Sequence, residues 1–338
     1  MRIDGIAVKR ILVTGGAGFI GANFIRRLHD QEPDMEIVNL DKLTYAGNLE
    51  NLTGIDSRYT FIRGDIRDRE AAQRAMAGAE VVVNFAAETH VDRSIHDPGE
   101  FILTDVYGVF VLLEAMRQTG TVKRFIHIST DEVYGSITAG AFSEAGPLNP
   151  SSPYSASKAG GDRLAFSYFK TFGLPVIILR PANNYGPYQY PEKLIPFFIT
   201  RALSGERLPL YGDGSNCRDW LHVDDTARGI VTAIELGQPG EAYNLGAGQE
   251  RTNIEVSRGL LRLLDLPETL IQFVSDRKGH DFRYAVDSTK LNRLGWSPQV
   301  GFEAGLERTV TWYRKNEPWW RRLIAKRDYQ QHLRKHYT

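Results

Sequence analysis

The chain has 338 residues, 42% of them apolar, and its 41 basic side chains balance 41 acidic ones. That length exceeds the size at which one hydrophobic core usually keeps growing, so two domains sharing a cleft are expected. A formal net charge of zero gives no electrostatic footing for nucleic acid or a membrane surface as partner. The single cysteine, Cys217, excludes an internal disulfide and points to a cytoplasmic location. Residues 1–9 lack the apolar core of a signal peptide and no later run approaches membrane-spanning length. The histidines stand without paired helical spacing or a cysteine partner, so no metal is expected.

Short β-branched runs at 11–13, 37–40, 81–83, 125–128 and 176–179 alternate with longer helical patterns, the last preceded by a predicted helix over 154–172. This is how a parallel sheet covered by helices reads. It predicts an α/β fold: a Rossmann-type doubly wound parallel sheet with a smaller C-terminal α/β substrate-binding domain. Past Arg180, four prolines (Pro181, Pro187, Pro191, Pro196) break the alternation. A return at 219–223, followed by a helix over 224–236, could rejoin the first domain. Both domains are then discontinuous: 1–180 plus 219–246 for the cofactor, and 181–218 plus 247–338 for the substrate. The basic tail over 321–335 reads most simply as a solvated helix or a frayed end.

Gly15, Gly18 and Gly21 follow the first strand directly and open a helix. Glycines there permit positive φ, let the backbone approach a pyrophosphate and leave the helix N-terminal amides for phosphates. Asp41 follows the second strand about 20 residues on, where an acid bonds the adenosine ribose hydroxyls. Its carboxylate would repel the 2'-phosphate of NADP, so the cofactor reads as NAD. Lys42 is a counter-signal, since it could meet such a phosphate. Asp65 and Ile66 stand where the adenine edge would lie, although Asp65 could equally cap a helix.

Tyr154 and Lys158 are four apart on the predicted helix and share a face. A free tyrosine titrates near 10, and Lys158 is expected to lower that by favouring the phenolate, making Tyr154 a base toward a substrate hydroxyl. The alternative is an ordinary amphipathic helix. Ser129 and Thr130 could bond the same hydroxyl from the end of the strand at 125–128. Asp131 and Glu132 follow at once, at the carboxyl end where ligands bind in open α/β sheets. Adjacent acids could be a solvated loop, yet beside a tyrosine base and an NAD loop they imply oxidation followed by elimination. Downstream, the loop at 183–187 offers Asn183 and Asn184 to a diphosphate, or is a plain turn. Glu192, Lys193, Arg218, Arg277 and His280 supply charge for an anionic nucleotide end or sit on the surface. Tyr211 could stack on a base or belong to the core.

With these residues assembled, the chain resembles the extended short-chain dehydrogenase/reductases, and within them the dTDP-glucose 4,6-dehydratases. The segments that carry the likeness are 40–48, 86–94, 129–135, 183–196 and 276–281. The resemblance implies that Thr130, Asp131, Glu132, Tyr154 and Lys158 are catalytic: Tyr154 takes the 4-hydroxyl proton, Glu132 the carbon 5 proton, and Asp131 protonates the departing 6-hydroxyl. It places Phe19, Ile20, Thr44, Gly47, Phe85, Ala86, Ala87, Thr104, Ser129 and Asn184 around NAD. It places Thr89, Thr130, Asn183, Lys193, Leu194, Pro209, Tyr211, Arg218, Asn253, Arg277 and His280 along a nucleotide-sugar substrate, dTDP-glucose. A homodimer through the helices over 101–118 and 154–172 is implied. Pro181-Ala182, Thr89 and Asp105 depart from the usual Cys-Ser, Ser and Asn of the family. Competing readings are a 4-epimerase, a decarboxylase or a dehydratase on another nucleotide sugar, and a silent NAD-binding regulator; the last should lack Tyr154, Lys158 or the acid pair.

Overall fold

A computed structural model describes residues 1–55, 58–276 and 279–337. Seven strands form its main sheet: β1 (Arg10–Thr14), β2 (Glu36–Asp41), β3 (Tyr59–Arg63), β4 (Val81–Asn84), β5 (Arg124–Ile128), β6 (Val176–Pro181) and β7 (Ala242–Leu245). Their order is β7-β6-β5-β4-β1-β2-β3, and every neighbouring pair is parallel. Val81, Val82 and Val83 of β4 are fully buried although their side chains alternate between faces, because helices cover both sides of a parallel sheet. On one face the helices Phe19–Gln31 and Val223–Leu236 pack together. Arg69–Met76, Val109–Thr119 and Pro153–Phe172 cover the other. Strand order reverses between β1 and β4, which opens a crevice at their carboxyl ends.

Two strands escape the sequence pattern for physical reasons. β3 lies at the sheet edge with half-exposed positions, so it shows no continuous apolar run. β7, the other edge, carries a buried asparagine, Asn244, that is spent on hydrogen bonding. The return at 219–223 does not join the main sheet. Instead the strand Cys217–His222 lies between Asn183–Tyr185 and Glu250–Thr252 in a separate three-stranded sheet, so the expected asparagine loop begins as a strand. The predicted helix over 101–118 is interrupted: Pro98–Ile102 leads into a π-helical turn, Leu103–Gly108, before Val109–Thr119 resumes.

A further core joins the helices Leu194–Leu203, Asn253–Leu264 and Phe302–Lys315. The basic tail is not simply solvated. Glu317–Ile324 buries Trp319, Trp320 and Leu323 against that core, and Arg327–Tyr337 adds Tyr329. Its arginines hid the aromatic face that carries the packing. Among the described residues no helix is long and apolar enough to cross a membrane.

One buried fork ties the sheet to the helix Pro153–Phe172. Arg180, in β6, donates from Nε to Asp162 Oδ2 (2.8 Å) and from Nη2 to Oδ1 (3.0 Å). Its Nη1 donates to the Tyr134 hydroxyl (2.6 Å), which donates to Asn244 Oδ1 in β7 (2.8 Å). Burial alone would raise the Asp162 pKa, but the Arg180 bonds prevail and hold it below the ordinary carboxylate range. Arg180→Met would leave that buried carboxylate with only the half-exposed Arg163 as partner, so a loss of up to about 3 kcal/mol is expected, read as a lower urea midpoint than that of the parent chain.

Candidate active site

A cleft of about 390 Å³ opens at the carboxyl ends of the strands, a size suited to small ligands. Every site residue expected from the sequence lines it, except Arg277, which lies outside the described residues.

The cofactor half is built on β1 and β2. Gly15 has φ +69°, and a Cβ there would fall 2.7 Å from the Ala86 nitrogen, so a side chain fits neither the conformation nor the space. Gly18 occupies the N-cap of Phe19–Gln31 with no side-chain cap, which leaves the helix end to an anion. Asp41 is buried at the end of β2, its Oδ1 accepting the Leu43 N–H (2.7 Å) and its Oδ2 the Ala17 N–H (2.9 Å). Burial raises its pKa against those two bonds. These features fit NAD: an uncapped helix N-terminus for its phosphates and an acid with lone pairs left for its ribose. Lys42 does not await a 2'-phosphate, because it pairs with Asp65 at 3.0 Å. Asp65 also accepts the Arg67 N–H and guanidinium, while Asp68 is the side chain that caps the next helix.

The reactive half joins two elements. The 3-10 turn Asp131–Tyr134 follows β5, and Thr130 at its N-cap accepts the Glu132 N–H (3.3 Å). The helix Pro153–Phe172 starts at a Ser152–Ser155 capping box with Pro153 in its first turn, so Tyr154 and Lys158 enter the cleft from a fixed helix end. Lys158 Nζ donates to the Ile128 carbonyl (2.6 Å) and feels the charges of Asp105 and Asp162. Tyr154 is buried at the cleft wall, and burial, followed by Glu132 and Asp105, pushes its pKa well above the ordinary value; Thr130 pulls the other way. This corrects the expectation that Lys158 lowers it: in this structure burial and the carboxylates outweigh any help from the lysine. Asp131 is likewise pushed well above the carboxylate range, first by burial and then by Glu132 and Asp219, which favours its protonated form. One of its oxygens accepts the Thr130 hydroxyl (3.2 Å); Oδ2 has no partner among the described residues, nor do Ser129 Oγ and Asn183 Oδ1. Buried polar atoms left this way mark where a ligand would bond.

The part of the cleft expected to take the substrate carries two cations, Lys193 and Arg218. Lys193 Nζ donates to the Thr89 carbonyl (2.7 Å), and Arg218 donates from Nη1 to the Cys217 carbonyl (2.7 Å) and from Nη2 to the Asp281 carbonyl (2.9 Å). Arg218 also lies 4.4 Å over the Tyr284 ring, and His280 stands edge-on to Tyr211. Tyr284 and Glu88 line the cleft without having been expected. Burial, then Asp105, pushes Glu88 up to about 7, and burial pushes Asp105 up to about 6 despite Lys158. No sequence pattern reports such a pairing of acids 17 positions apart; the departure at Asp105 was the one trace of it.

The sequence profile described as GDP-mannose 4,6 dehydratase matches residues 12–309. A dTDP-glucose 4,6-dehydratase of Actinoplanes sp. is 49% identical over 319 residues, 92% of this chain and 99% of its own length. The low-salt glycan biosynthesis protein Agl12 of Haloferax volcanii is 51% identical over 305 residues, 90% of this chain and 98% of its own. Among solved structures, DesIV (dTDP-glucose 4,6-dehydratase) from Streptomyces venezuelae with NAD and TYD bound superposes with a TM-score of 0.90 at 51% identity, covering 93% of this chain and 99% of that one.

The buried acid has a thermodynamic signature. An unfolded aspartate titrates near 3.9 (roughly), below the folded Asp131, so this group's unfavourable contribution to stability appears as pH rises past that value. Asp131→Asn keeps an acceptor for Thr130 without that contribution. The variant should denature later than the parent at pH 7, with the gap closing as pH falls toward about 4; urea melts across this range measure it.

Proposed function

The chain belongs to the GDP-mannose 4,6 dehydratase family and, by its relatives, to the dTDP-glucose 4,6-dehydratases; from that membership and this cleft we infer an NAD-dependent hydro-lyase that converts dTDP-glucose to dTDP-4-keto-6-deoxyglucose. The observation that carries the reading is the meeting of two adjacent acids, Asp131 and Glu132, with Tyr154 and Lys158 in the cleft that holds the NAD cradle. Oxidation alone needs no acid pair.

NAD, when bound, supplies a hydride acceptor for carbon 4 that hands the hydride back to carbon 6. Tyr154 takes the 4-hydroxyl proton, and because its phenol is buried beside carboxylates, the ammonium of Lys158 one helical turn away and the Thr130 hydroxyl must stabilise the phenolate. The resulting ketone acidifies carbon 5, and Glu132 removes that proton. Asp131, whose protonated form burial favours, gives its proton to the departing 6-hydroxyl and water leaves. Glu132 then returns its proton to carbon 5. The proton left on Tyr154 balances the one Asp131 gave, so each cycle loses only water.

Lys193 and Arg218 suit the diphosphate, with Asn183, Asn253 and His280 beside them and Tyr211 at the base; Arg277, outside the described residues, keeps the substrate role that the family resemblance implies. Gly15, Gly18, Gly21, Asp41 and the residues around them hold NAD. The division into 1–180 plus 219–246 for the cofactor and 181–218 plus 247–338 for the sugar nucleotide follows from these roles, except that 219–222 pair on the substrate side. Exposed Ile102, Leu103, Tyr107 and Phe172 support a homodimer through the helices over 101–118 and 154–172. The lone Cys217 suits a reducing cytoplasm.

Incubation with dTDP-glucose should yield a product that absorbs as a 4-keto sugar in base, with no net NADH. A 4-epimer or carbon dioxide as the sole product would defeat the reading. Asp131→Asn should slow water loss by on the order of 10²–10⁴-fold while 4-oxidation, followed as transient NADH, largely persists. Glu132→Gln should abolish deuterium exchange at carbon 5; exchange that continues would put the base elsewhere.

A further inference from the structure

The acid that selects the cofactor is held from the far end of the chain. The Ala17 N–H goes to Asp41 Oδ2 (2.9 Å), and the carbonyl of the same residue accepts Asn51 Nδ2 (2.9 Å) and the Asn48 N–H (3.0 Å). Asn51 Oδ1 in turn accepts the Trp319 indole N–H (3.0 Å). Asn51 and Trp319 are both buried, so no water stands ready to replace either bond. The relay therefore runs without a gap from the helix Glu317–Ile324 through one side-chain amide to Ala17, inside the glycine loop, and on to Asp41 at the end of β2.

Each link has its direction fixed by chemistry. An indole N–H can only donate, so Asn51 must present its oxygen to Trp319 and its nitrogen to Ala17. The indole cannot swing away, since Tyr188, Trp312 and Tyr313 meet it edge-on at 6.1, 5.0 and 6.2 Å. A second, exposed tie, Arg322 to Glu50, joins the same helix to the same neighbourhood without touching Ala17. We propose that Trp319 and Asn51 are positioning residues for the cofactor, holding the Ala17 peptide, and through it Asp41 and the glycine loop, in the arrangement that retains NAD. The inference rests on the reading of the cleft as an NAD site. It matters because NAD is regenerated in each cycle and has no reason to leave, so its residence is set by this cradle and not by turnover.

The test loads the full-length chain with radiolabelled NAD and follows release into excess unlabelled NAD. Trp319→Phe keeps a ring and deletes the N–H; release should accelerate about tenfold, while kcat on dTDP-glucose at saturating NAD stays near parental. Asn51→Asp keeps the acceptor for Trp319 but sets an oxygen against the Ala17 carbonyl, and should accelerate release as well; it decides the matter if Trp319→Phe does not fold. Arg322→Ala should release NAD within twofold of the parent. Parental rates in both Trp319→Phe and Asn51→Asp overturn the proposal, as does an equal acceleration in Arg322→Ala, which would make helix docking in general the cause. A parent chain that retains no NAD overturns the reading of the cleft itself.

Discussion

Negative charge is crowded into one desolvated place, and the surrounding architecture answers to that crowding. Asp131, Glu132, Asp105, Glu88 and Asp219 all gather near a buried tyrosine, faced by Lys158 on one side and Arg218 on the other. Water would disperse such a cluster. A parallel sheet that drives its strand ends into one crevice, with a rigid helix end aimed across it, holds the groups together regardless. The Arg180–Asp162 fork is part of the same answer, since it clamps the helix bearing Tyr154 and Lys158 to β6 and, through Tyr134, to the turn bearing Asp131 and Glu132. The two elements of the reactive site are thus fixed relative to each other by a guanidinium that bonds neither Tyr154 and Lys158 nor the acid pair.

This arrangement works against stability where it serves chemistry. A carboxyl whose pKa burial raises costs folding stability and suits donation of a proton to a leaving group. The atoms Asp131 Oδ2, Ser129 Oγ and Asn183 Oδ1, without a partner among the described residues, belong to the same exchange: each costs desolvation, and each leaves a bonding position in the cleft.

The glycine loop, Asp41, the acid pair and the Tyr154–Lys158 step were legible in the sequence because each is a local spacing on a definite element, and such spacings survive projection onto one dimension. What stayed illegible was relational. β3 and β7 are edge strands whose residues bond or face solvent, so neither has a strand's apolar signature. The tail after Glu317 was hidden because charge dominates its composition while three aromatics carry its packing. Glu88 and Tyr284 reach the cleft only through folding. The Tyr154 expectation erred by weighing the lysine one turn away and omitting the dielectric and the acids that the fold brings against the phenol.

The π-helical turn Leu103–Gly108 stands between the expected dimer face and the reactive site. It holds an extra residue in its loop of backbone, and Asp105, within it, accepts the Ser157 hydroxyl at Oδ2 (2.7 Å) and the Glu88 N–H at Oδ1 (3.0 Å). A wide turn of this kind behaves as a phase shifter: the helical faces before and after it are set by separate angular origins. Erasing one residue from it would rotate Ile102 and its neighbours by about a hundred degrees relative to Val109–Thr119, so the surface chemistry upstream and the buried chemistry downstream can drift through evolution only in steps of whole residues.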